Sequence, residues 1–350
     1  MKRIWGVMIS VLTAAALLTG CGGRQDVAYA LVTGEHDYAG SKAAAEAWNG
    51  VQSFASAGTG IAGRYEIETD DTEAAAEAMR SIIKSGAGTV VCVGRRMETV
   101  LYEAQTAHTK TRFIMLGGEP KADAESDAVI ADNTLCLTYD DGEAGYLAGY
   151  GAVCEGFRHL SFMAGSRSNQ AVRYAVGYIR GICDAADDLA LGASDVVVEV
   201  LFTGEDKLTP RTMERALELY DDGSEIIMGC GDAILQPVIK AAESRGGRVI
   251  SAGQDKRAES ASVLFGIEYD SAEAVEAALS ECAGEDFTGG VIRHYGAAQN
   301  SVNLAVDMTM LSGLTAEIYN RVYQELADGT RTVPEDEALS GSERVTVSIL

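Results

Sequence analysis

The sequence is poor in positive charge and lacks several common active-site motifs. Lys and Arg total 28 against 52 Asp and Glu, a net charge of −24 over 350 residues. Nucleic acids and anionic lipids both attract basic surfaces, so this balance argues against nucleic-acid binding and against electrostatic docking on a membrane. P-loop, HExxH and G-x-S-x-G patterns are absent, and the 4 histidines have no metal-ligand spacing. We therefore expect no enzyme, no metal site and no cofactor.

One glycine pattern resembles a dinucleotide-binding fingerprint but stands in the wrong place. Gly58, Gly60 and Gly63 match G-x-G-x-x-G. That fingerprint must follow a strand and begin a helix, whereas here a helical pattern precedes it and a strand pattern starting at Tyr65 follows. We interpret it as the loop that ends a helix.

The sequence also lacks a long apolar run after its first twenty residues. Lys2 and Arg3 precede an apolar stretch from Ile4 to Leu18, which is short for a membrane span of ~20 residues and typical of a secretory signal. The following Leu18-Thr19-Gly20-Cys21 resembles a bacterial lipobox. We predict a signal peptide at 1–20, a lipidated Cys21 and a tether at 21–26. The mature protein would then lie on the extracytoplasmic face of a bacterial membrane, held only by its lipid.

The remaining cysteines show no disulfide framework. The chain has 7 cysteines in all, none of them in a CxxC pair, and most lie within apolar stretches. Widely spaced cysteines without a signature are more typical of small buried hydrophobes than of a bridged scaffold. We predict buried free thiols.

Alternating strand and helix patterns indicate an α/β protein with two Rossmann-like lobes. Short apolar strands are followed by amphipathic helices in a βαβαβαβ order up to Leu116, and the alternation restarts at Leu160. Because a single doubly wound domain of this length would be unusual, we expect two parallel sheets. The strands are predicted at 27–32, 65–69, 89–93, 113–116, 134–138, 160–164, 196–202, 226–228, 249–252 and 263–267.

The segment Asn133 to Tyr150 (NTLCLTYDDGEAGYLAGY) is the predicted crossing point between the lobes. A short strand leads into a helix whose first turn is acidic, where the positive end of the helix dipole favours carboxylates. Gly145 and Gly149 are four residues apart and would leave a groove for close backbone packing.

Ligands of open α/β sheets bind beyond the carboxyl ends of the strands. The loops predicted there combine glycine with charged or polar residues, which suit close backbone approach and hydrogen bonding to hydroxyls or carboxylates. Helix capping or a solvated turn is an equally good explanation for any one of them. The candidate ligand-binding residues are Asp37, Tyr38, Arg95, Gly117, Tyr139, Ser166, Arg167, Gly231, Asp232 and Asp255.

Several motifs resemble one known family. They are Glu143 to Tyr150 (EAGYLAGY), Ala47-Trp48-x-Gly50, Val172-x-Tyr174-x-x-Gly177-Tyr178-x-x-Gly181, the strand and helix at 229–242, Gly253 to Lys256, Tyr295-Gly296 and Val333-Pro334. In this respect the chain resembles the basic membrane protein (BMP) lipoproteins, also called purine nucleoside receptor A-like proteins. These are substrate-binding subunits of ABC importers with the type I periplasmic-binding-protein architecture.

The resemblance implies two hinge-linked lobes that capture a nucleoside between them and deliver it to ABC permease and ATPase subunits. Within such a cleft, we expect Tyr38 to stack on a ligand ring, Asp37, Asp232 and Asp255 to accept hydroxyls, and Arg95 and Arg167 to donate. The lobes are expected at 27–138 plus about 254–290 and at 139–253 plus about 291–334, with a tail at 335–350.

The chain departs from the family at three ligand positions. The family's Ser-Phe-Asn-Gln motif is replaced by Lys42 to Ala45, the first Asp of its D-x-D pair is Gly253, and Ile267 stands where a lysine is expected. These departures leave two alternatives open. One is a sugar-binding protein of the same fold, and the other is a surface-anchored sensor or interaction protein with a degenerate cleft.

Overall fold

The computed structural model describes most of the chain after the predicted tether. The described residues are 9–12 (backbone only), 27–34, 42–58, 60–67, 71–94, 96–123, 126–205, 207–253, 255–284, 287–334 and 338–350. Within these ranges, none of the helices combines the length and the apolar character needed to cross a membrane.

The chain divides into two compact units. Unit 1 comprises 1–139 and 270–295, and unit 2 comprises 140–269 and 296–350. The chain therefore passes between units three times, after Tyr139, after Tyr269 and after Tyr295. The first passage falls at the strand–helix junction that the sequence singled out.

Unit 1 is a largely parallel sheet with helices on both faces, in the strand order β1-β3-β2-β4-β5-β6-β12. All of its strand pairs are parallel except β1 with β3. The strands are β1 (Ile9–Leu12), β2 (Tyr29–Gly34), β3 (Ala62–Ile67), β4 (Thr89–Val93), β5 (Arg112–Leu116), β6 (Thr134–Tyr139) and β12 (Val291–Tyr295), and the helices are α1 (Lys42–Ala57), α2 (Thr72–Lys84), α3 (Met97–Ala107) and α8 (Ser271–Ala283).

Alternate residues of the buried strands feed two separate cores. Phe113 and Met115 of β5 pack with α2 and α3, while Ile114 and Leu116 pack with α1 and α8. All four are buried on both sides of the sheet, which explains why the strand is continuously apolar instead of alternating. Complete burial of each such side chain contributes about 1.5–3 kcal/mol.

Unit 2 repeats this architecture in the strand order β13-β11-β10-β9-β7-β8-β14. The pairing is parallel except between β11 and β13. The strands are β7 (His159–Ala164), β8 (Val196–Phe202), β9 (Ile226–Cys230), β10 (Arg248–Ser251), β11 (Val263–Tyr269), β13 (Val302–Ala305) and β14 (Val345–Ile349), and the helices are α4 (Asp141–Cys154), α5 (Asn169–Asp188), α6 (Pro210–Asp221), α7 (Asp232–Arg245) and α9 (Ala316–Ala327).

Helices α4 and α5 pack with their backbones almost in contact. A Cβ on Gly145 would lie 2.3 Å from the carbonyl oxygen of Tyr174, and a Cβ on Gly149 would lie 2.2 Å from that of Tyr178. Gly177 and Gly181 of α5 are equally close to the α4 backbone. The predicted groove at Gly145 and Gly149 is therefore confirmed, since any side chain there would push the helices apart.

A charged cluster ties the ends of α4, α5 and α9 together. Arg331 donates to Asp188 at 2.7 Å, to Glu325 at 2.5 Å and to the hydroxyl of Tyr146 at 3.1 Å. Its side chain is only 16% exposed, so these bonds are screened less than those of surface ion pairs. The cluster fixes the segment after α9 against the α4–α5 pair.

The structure differs from the predicted bounds in three places. Because β11 pairs in parallel with β10, residues 254–269 belong to unit 2 and the second passage falls after Tyr269. Residues 291–295 form β12 beside β6 in unit 1. The predicted tail contains β14, which pairs with β8.

A further difference concerns the predicted signal segment. Ile9–Leu12 pairs with the outer edge of β3, so removal of a signal peptide at 1–20 would leave β3 as the edge strand. Helix α2 begins after Asp71, whose side chain accepts from the Ala74 amide at 2.9 Å. Aspartate is a common residue at this capping position.

Candidate functional site

The candidate residues of unit 2 lie at the carboxyl ends of three neighbouring strands. Ser166 and Arg167 follow β7, Gly231 follows β9, and Asp255 follows β10. Because β7, β9 and β10 are adjacent in the sheet, these loops share one edge. The structure thus brings together residues that are far apart in sequence, at the edge where open α/β sheets bind ligands.

The loop after β7 presents a guanidinium held over an aromatic ring. Arg167 is exposed and its guanidinium carbon lies 5.6 Å from the ring centroid of Phe202. Ser166 is partly buried, and its carbonyl accepts from the Ser168 amide at 2.8 Å. Ser168 then caps α5 by accepting from Ala171 at 3.2 Å. The cation–π contact holds Arg167 at the sheet edge without neutralising its charge.

The loop after β9 leads directly into the amino end of α7. Gly231 has φ +93° and is the residue before the helix, which has no side-chain cap there. This conformation is open to glycine and strained for other residues. The amino end of an uncapped helix favours electron-rich ligand groups. Asp232 begins the helix, and its side chain lies outside the described residues.

Asp255 forms a carboxylate–guanidinium pair with a neighbour that the sequence analysis did not name. Its two oxygens accept from Arg257 Nε and Nη2, each at 2.8 Å. Asp255 Oδ1 also accepts from the Arg257 amide at 3.0 Å. Hydrogen bonding to Asp255 raises the pKa of Arg257, so the guanidinium stays charged. The predicted acceptor is therefore part of a donor–acceptor pair.

A buried cluster lies beneath the loop after β10. Tyr269 at the end of β11 donates to Asp141 in the first turn of α4, and its hydroxyl also bonds to that of Tyr174 in α5. A Cβ on Gly253 would lie 3.7 Å from the Tyr174 hydroxyl, so the loop passes over the cluster. Burial raises the pKa of Asp141 to about 6 and raises the pKa of both tyrosines.

The sequence does not predict this cluster. Asp141 and Tyr269 are 128 residues apart, and their separate signals were only an acidic helix start and a strand end. The helix-dipole argument alone would lower the pKa of an acid at this position. Burial outweighs the dipole here.

A second carboxylate in the same helix turn supports the chain after β12. Glu143 accepts from the Ala297 amide at 2.6 Å. Burial raises the pKa of Glu143 to about 7, although the Ala297 hydrogen bond opposes this shift. The Asp140 side chain caps the helix by accepting from the Glu143 amide at 3.0 Å.

Two candidate residues of unit 1 also lie at a carboxyl sheet edge: Gly117 follows β5, and Tyr139 is the last residue of the neighbouring strand β6. Gly117 is exposed with φ +74°. The hydroxyl of Tyr139 lies 2.7 Å from that of Ser271 at the start of α8, and burial raises the tyrosine pKa. Tyr139 therefore fastens the end of β6 to α8, a structural contact that the sequence did not predict.

Four predicted functional residues fall outside the described ranges. They are Asp37, Tyr38, Arg95 and the lipidation site Cys21, which stay predictions. Within the ranges that the structure describes, no cluster of three or more His, Cys, Asp or Glu side chains could hold a metal ion.

Solved structures with similar folds come from both transport and regulation. The chain is similar to a solute-binding protein of an ABC transporter system from Conexibacter woesei, with TM-score 0.62, 18% identity, and 88% of this chain and 98% of that chain covered. It is also similar to a transcriptional activator of the comK gene from Bacillus halodurans, with TM-score 0.61 and 14% identity. That match covers 86% of this chain and 96% of that chain.

A third similar structure is the arabinose-binding protein AraP from Geobacillus stearothermophilus, with TM-score 0.58 and 10% identity. That match covers 80% of this chain and 97% of that chain. Identities this low show the fold alone, which is that of the periplasmic binding proteins. No curated protein sequence matches the chain significantly.

The sequence match to a protein family is much longer than any local motif. A family description, Bmp, ABC transporter substrate-binding protein PnrA-like, matches residues 29–336. This range covers most of both units and every described candidate loop. The chain therefore belongs to the Bmp family of PnrA-like ABC transporter substrate-binding proteins.

Proposed function

We propose that this protein is a lipid-anchored receptor that captures a nucleoside outside the cell and passes it to an ABC permease and its ATPase. Membership of the family supports a ligand-binding role. The observation that carries the polar-ligand proposal is the Asp255–Arg257 pair at the carboxyl edge of unit 2. A carboxylate and a guanidinium side by side accept from and donate to the vicinal hydroxyls of a ribose.

The other loops of this edge complement the pair. Arg167 adds a second donor, and the uncapped amino end of α7 at Gly231 offers backbone amides to an electron-rich ligand atom. Binding needs no proton transfer or covalent step, so the proposal includes no catalysis. Tyr38 is proposed to stack on the base.

A thermal-shift screen tests the proposal. The chain from Gly22 onward is purified and heated with inosine, guanosine, adenosine, free nucleobases and a panel of sugars. A ligand that binds only the folded state raises the melting temperature. At a ligand concentration one hundred times Kd, it adds about 2.7 kcal/mol to the free energy of unfolding. We expect a shift with a nucleoside. A shift with a sugar alone would support the sugar-binding alternative, and no shift with any compound would favour the sensor.

Asp255→Asn tests the site, with Asp221→Asn as the matched control. Asp221 forms the same two-point pair, with Arg245 at 2.6 and 2.8 Å, but lies at the carboxyl end of α6, away from the candidate loops. A hydrogen bond to a charged group contributes about 1.5–3 kcal/mol. We therefore expect calorimetry to show nucleoside affinity reduced about 10- to 100-fold in Asp255→Asn and unchanged in Asp221→Asn. Equal affinities in both variants would show that Asp255 does not contribute to nucleoside binding.

Cys21→Ala tests the anchor in the full chain. We expect a clickable fatty-acid analogue to label the wild-type protein in cells and to leave Cys21→Ala unlabelled. Labelling of the variant would contradict the lipobox interpretation.

A further inference from the structure

The unit-2 ends of all three chain passages meet at one helix turn. The passages follow Tyr139, Tyr269 and Tyr295. The first leads directly into α4 through Asp140, which caps the helix at the Glu143 amide. The other two reach the same turn from distant parts of the sequence. On its unit-2 side, each of the three passages is therefore attached to the first turn of α4.

Two carboxylates make the distant attachments. Tyr269, the last residue before the second passage, donates to Asp141. Ala297, which follows the third passage, donates its amide to Glu143 at 2.6 Å. Gly296 has no room for a side chain, since a Cβ would lie 2.0 Å from Glu143 Oε2. The carboxylate is thus enclosed by the chain that it holds.

The charges around the two carboxylates do not neutralise them. Glu143 faces Asp140 on its own helix and Arg173 on α5, and Arg173 is itself 3.8 Å from Asp140. Gln299 on the following turn is uncharged and bonds to the Gly296 amide at 3.0 Å. The titratable neighbours of Asp141 are Asp140, the hydroxyls of Tyr269 and Tyr174, and the thiol of Cys230.

We propose that the first turn of α4 is a proton-dependent anchor, which holds the unit-2 ends of the second and third passages tightly when Asp141 and Glu143 are protonated and loosens when they ionise. The anchor is complete within unit 2 and does not require a ligand.

The direction is set by burial, which outweighs the hydrogen bonds from Ala297 and Tyr269 that favour the ionised carboxylates. Burial raises the pKa of Glu143 from an ordinary 4.5 to about 7 and that of Asp141 from 3.8 to about 6. A carboxyl with a raised pKa binds its proton more tightly in the closed site than in an open, hydrated one, so protonation favours the closed site. The attachment is strongest below about pH 4 and weakens as the pH rises through 6 and 7.

Hydrogen exchange at the Ala297 amide tests the anchor in the ligand-free chain from Gly22 onward. After correction for intrinsic exchange, we expect the protection factor of wild-type Ala297 to fall at least about tenfold between pH 4.5 and 7.5. Glu143→Gln keeps an oxygen acceptor without a charge. Its Ala297 amide is therefore expected to stay protected at both pH values.

Glu155→Gln is the matched control. Glu155 lies just after the other end of α4 and accepts the amides of Ser312, Gly313 and Leu314, so it holds a loop and not a passage. This variant should keep the wild-type pH dependence at Ala297. Unchanged protection at Ala297 in the wild type, or the same fall in Glu143→Gln, would overturn the proposal. An equal fall at residues 312–314 of the wild type would also overturn it, because the effect would then be global.

Asp141→Asn addresses the second passage through a different readout. We expect an NMR titration of the Tyr269 ring to show a pH-dependent shift with a midpoint near 6 in the wild type and none in Asp141→Asn. A flat titration in the wild type would remove Asp141 from the anchor.

The consequence for ligand capture rests on the proposed function. With inosine as the probe, dissociation is expected to accelerate from pH 5.5 to 7.5 in the wild type and to change less in Glu143→Gln. If no nucleoside of the thermal-shift screen binds, the proposed function fails while the exchange result stands. If inosine binds and dissociates at the same rate at both pH values, the anchor does not control capture.

Discussion

Single residues in the core of unit 2 differ in whether their polar atoms are paired. Tyr178 and Tyr220 are both buried. The hydroxyl of Tyr220 donates to the Arg248 carbonyl at 2.7 Å, whereas that of Tyr178 has no partner among the described residues. A buried polar atom without a partner costs stability, and removing it relieves that cost.

Tyr178→Phe should therefore leave the protein as stable as the wild type or stabilise it by up to about 1 kcal/mol. Tyr220→Phe removes an equal atom but loses a hydrogen bond, so it should destabilise by about 1 kcal/mol. Urea denaturation measures both. A larger loss in Tyr178→Phe than in Tyr220→Phe would show that the Tyr178 hydroxyl has a partner, such as a buried water.

At the scale of elements, several motifs that suggested the family serve close packing of helices. Gly50, the last residue of the Ala47-Trp48-x-Gly50 motif, lets α1 approach α8, since a Cβ there would lie 2.4 Å from the Ala272 oxygen. Gly177 and Gly181 have the same role between α5 and α4. Such motifs identify a fold because only glycine permits the approach, and they carry little information about the ligand.

Gly177→Ala tests this interpretation. The added Cβ would lie 1.8 Å from the Gly142 oxygen, and we expect a loss of at least about 2 kcal/mol from overpacking. Gly88→Ala is the control, because the nearest atom to its Cβ would be 3.9 Å away. We expect its stability to change by less than about 0.5 kcal/mol. Similar melting temperatures for the two variants would mean that α4 and α5 can separate at little cost.

At the scale of the whole molecule, the thiols are distributed through both units and protected by burial. The described cysteines are all free, and five of them are buried with Cys154 partly buried. Burial raises the pKa of Cys92, Cys136, Cys230 and Cys282 to about 12 and that of Cys154 to about 11, and it raises that of Cys183. The prediction of free thiols is confirmed for all six described cysteines, and that of burial for five of them.

The native chain from Gly22 onward should therefore react very slowly with Ellman's reagent at pH 8, because the thiolate is the nucleophile. All of these thiols should react after unfolding in urea. A reducing agent should leave the melting temperature unchanged. Rapid reaction of any thiol in the native protein would contradict the burial assignment, with Cys154 the first to examine.

The sequence indicated most of the central strands, the family and the class of protein. The strand Thr89–Val93, for example, was predicted at its observed position, because a continuous apolar run is a local property. Short edge strands were missed at 291–295, 302–305 and 345–349, since edge strands lack a continuous apolar pattern. The candidate loops followed from the strand ends.

The three-dimensional fold fixes which groups meet at and near those loops. It placed Arg257 on Asp255, Tyr269 on Asp141 and Ala297 on Glu143. The last two pairings join residues more than one hundred positions apart, and the pKa of each carboxyl depends on how deeply the fold buries it. A sequence displays a carboxylate at a helix start, and the local rule predicts a stabilised anion there. The fold encloses these two carboxylates, and burial reverses that expectation.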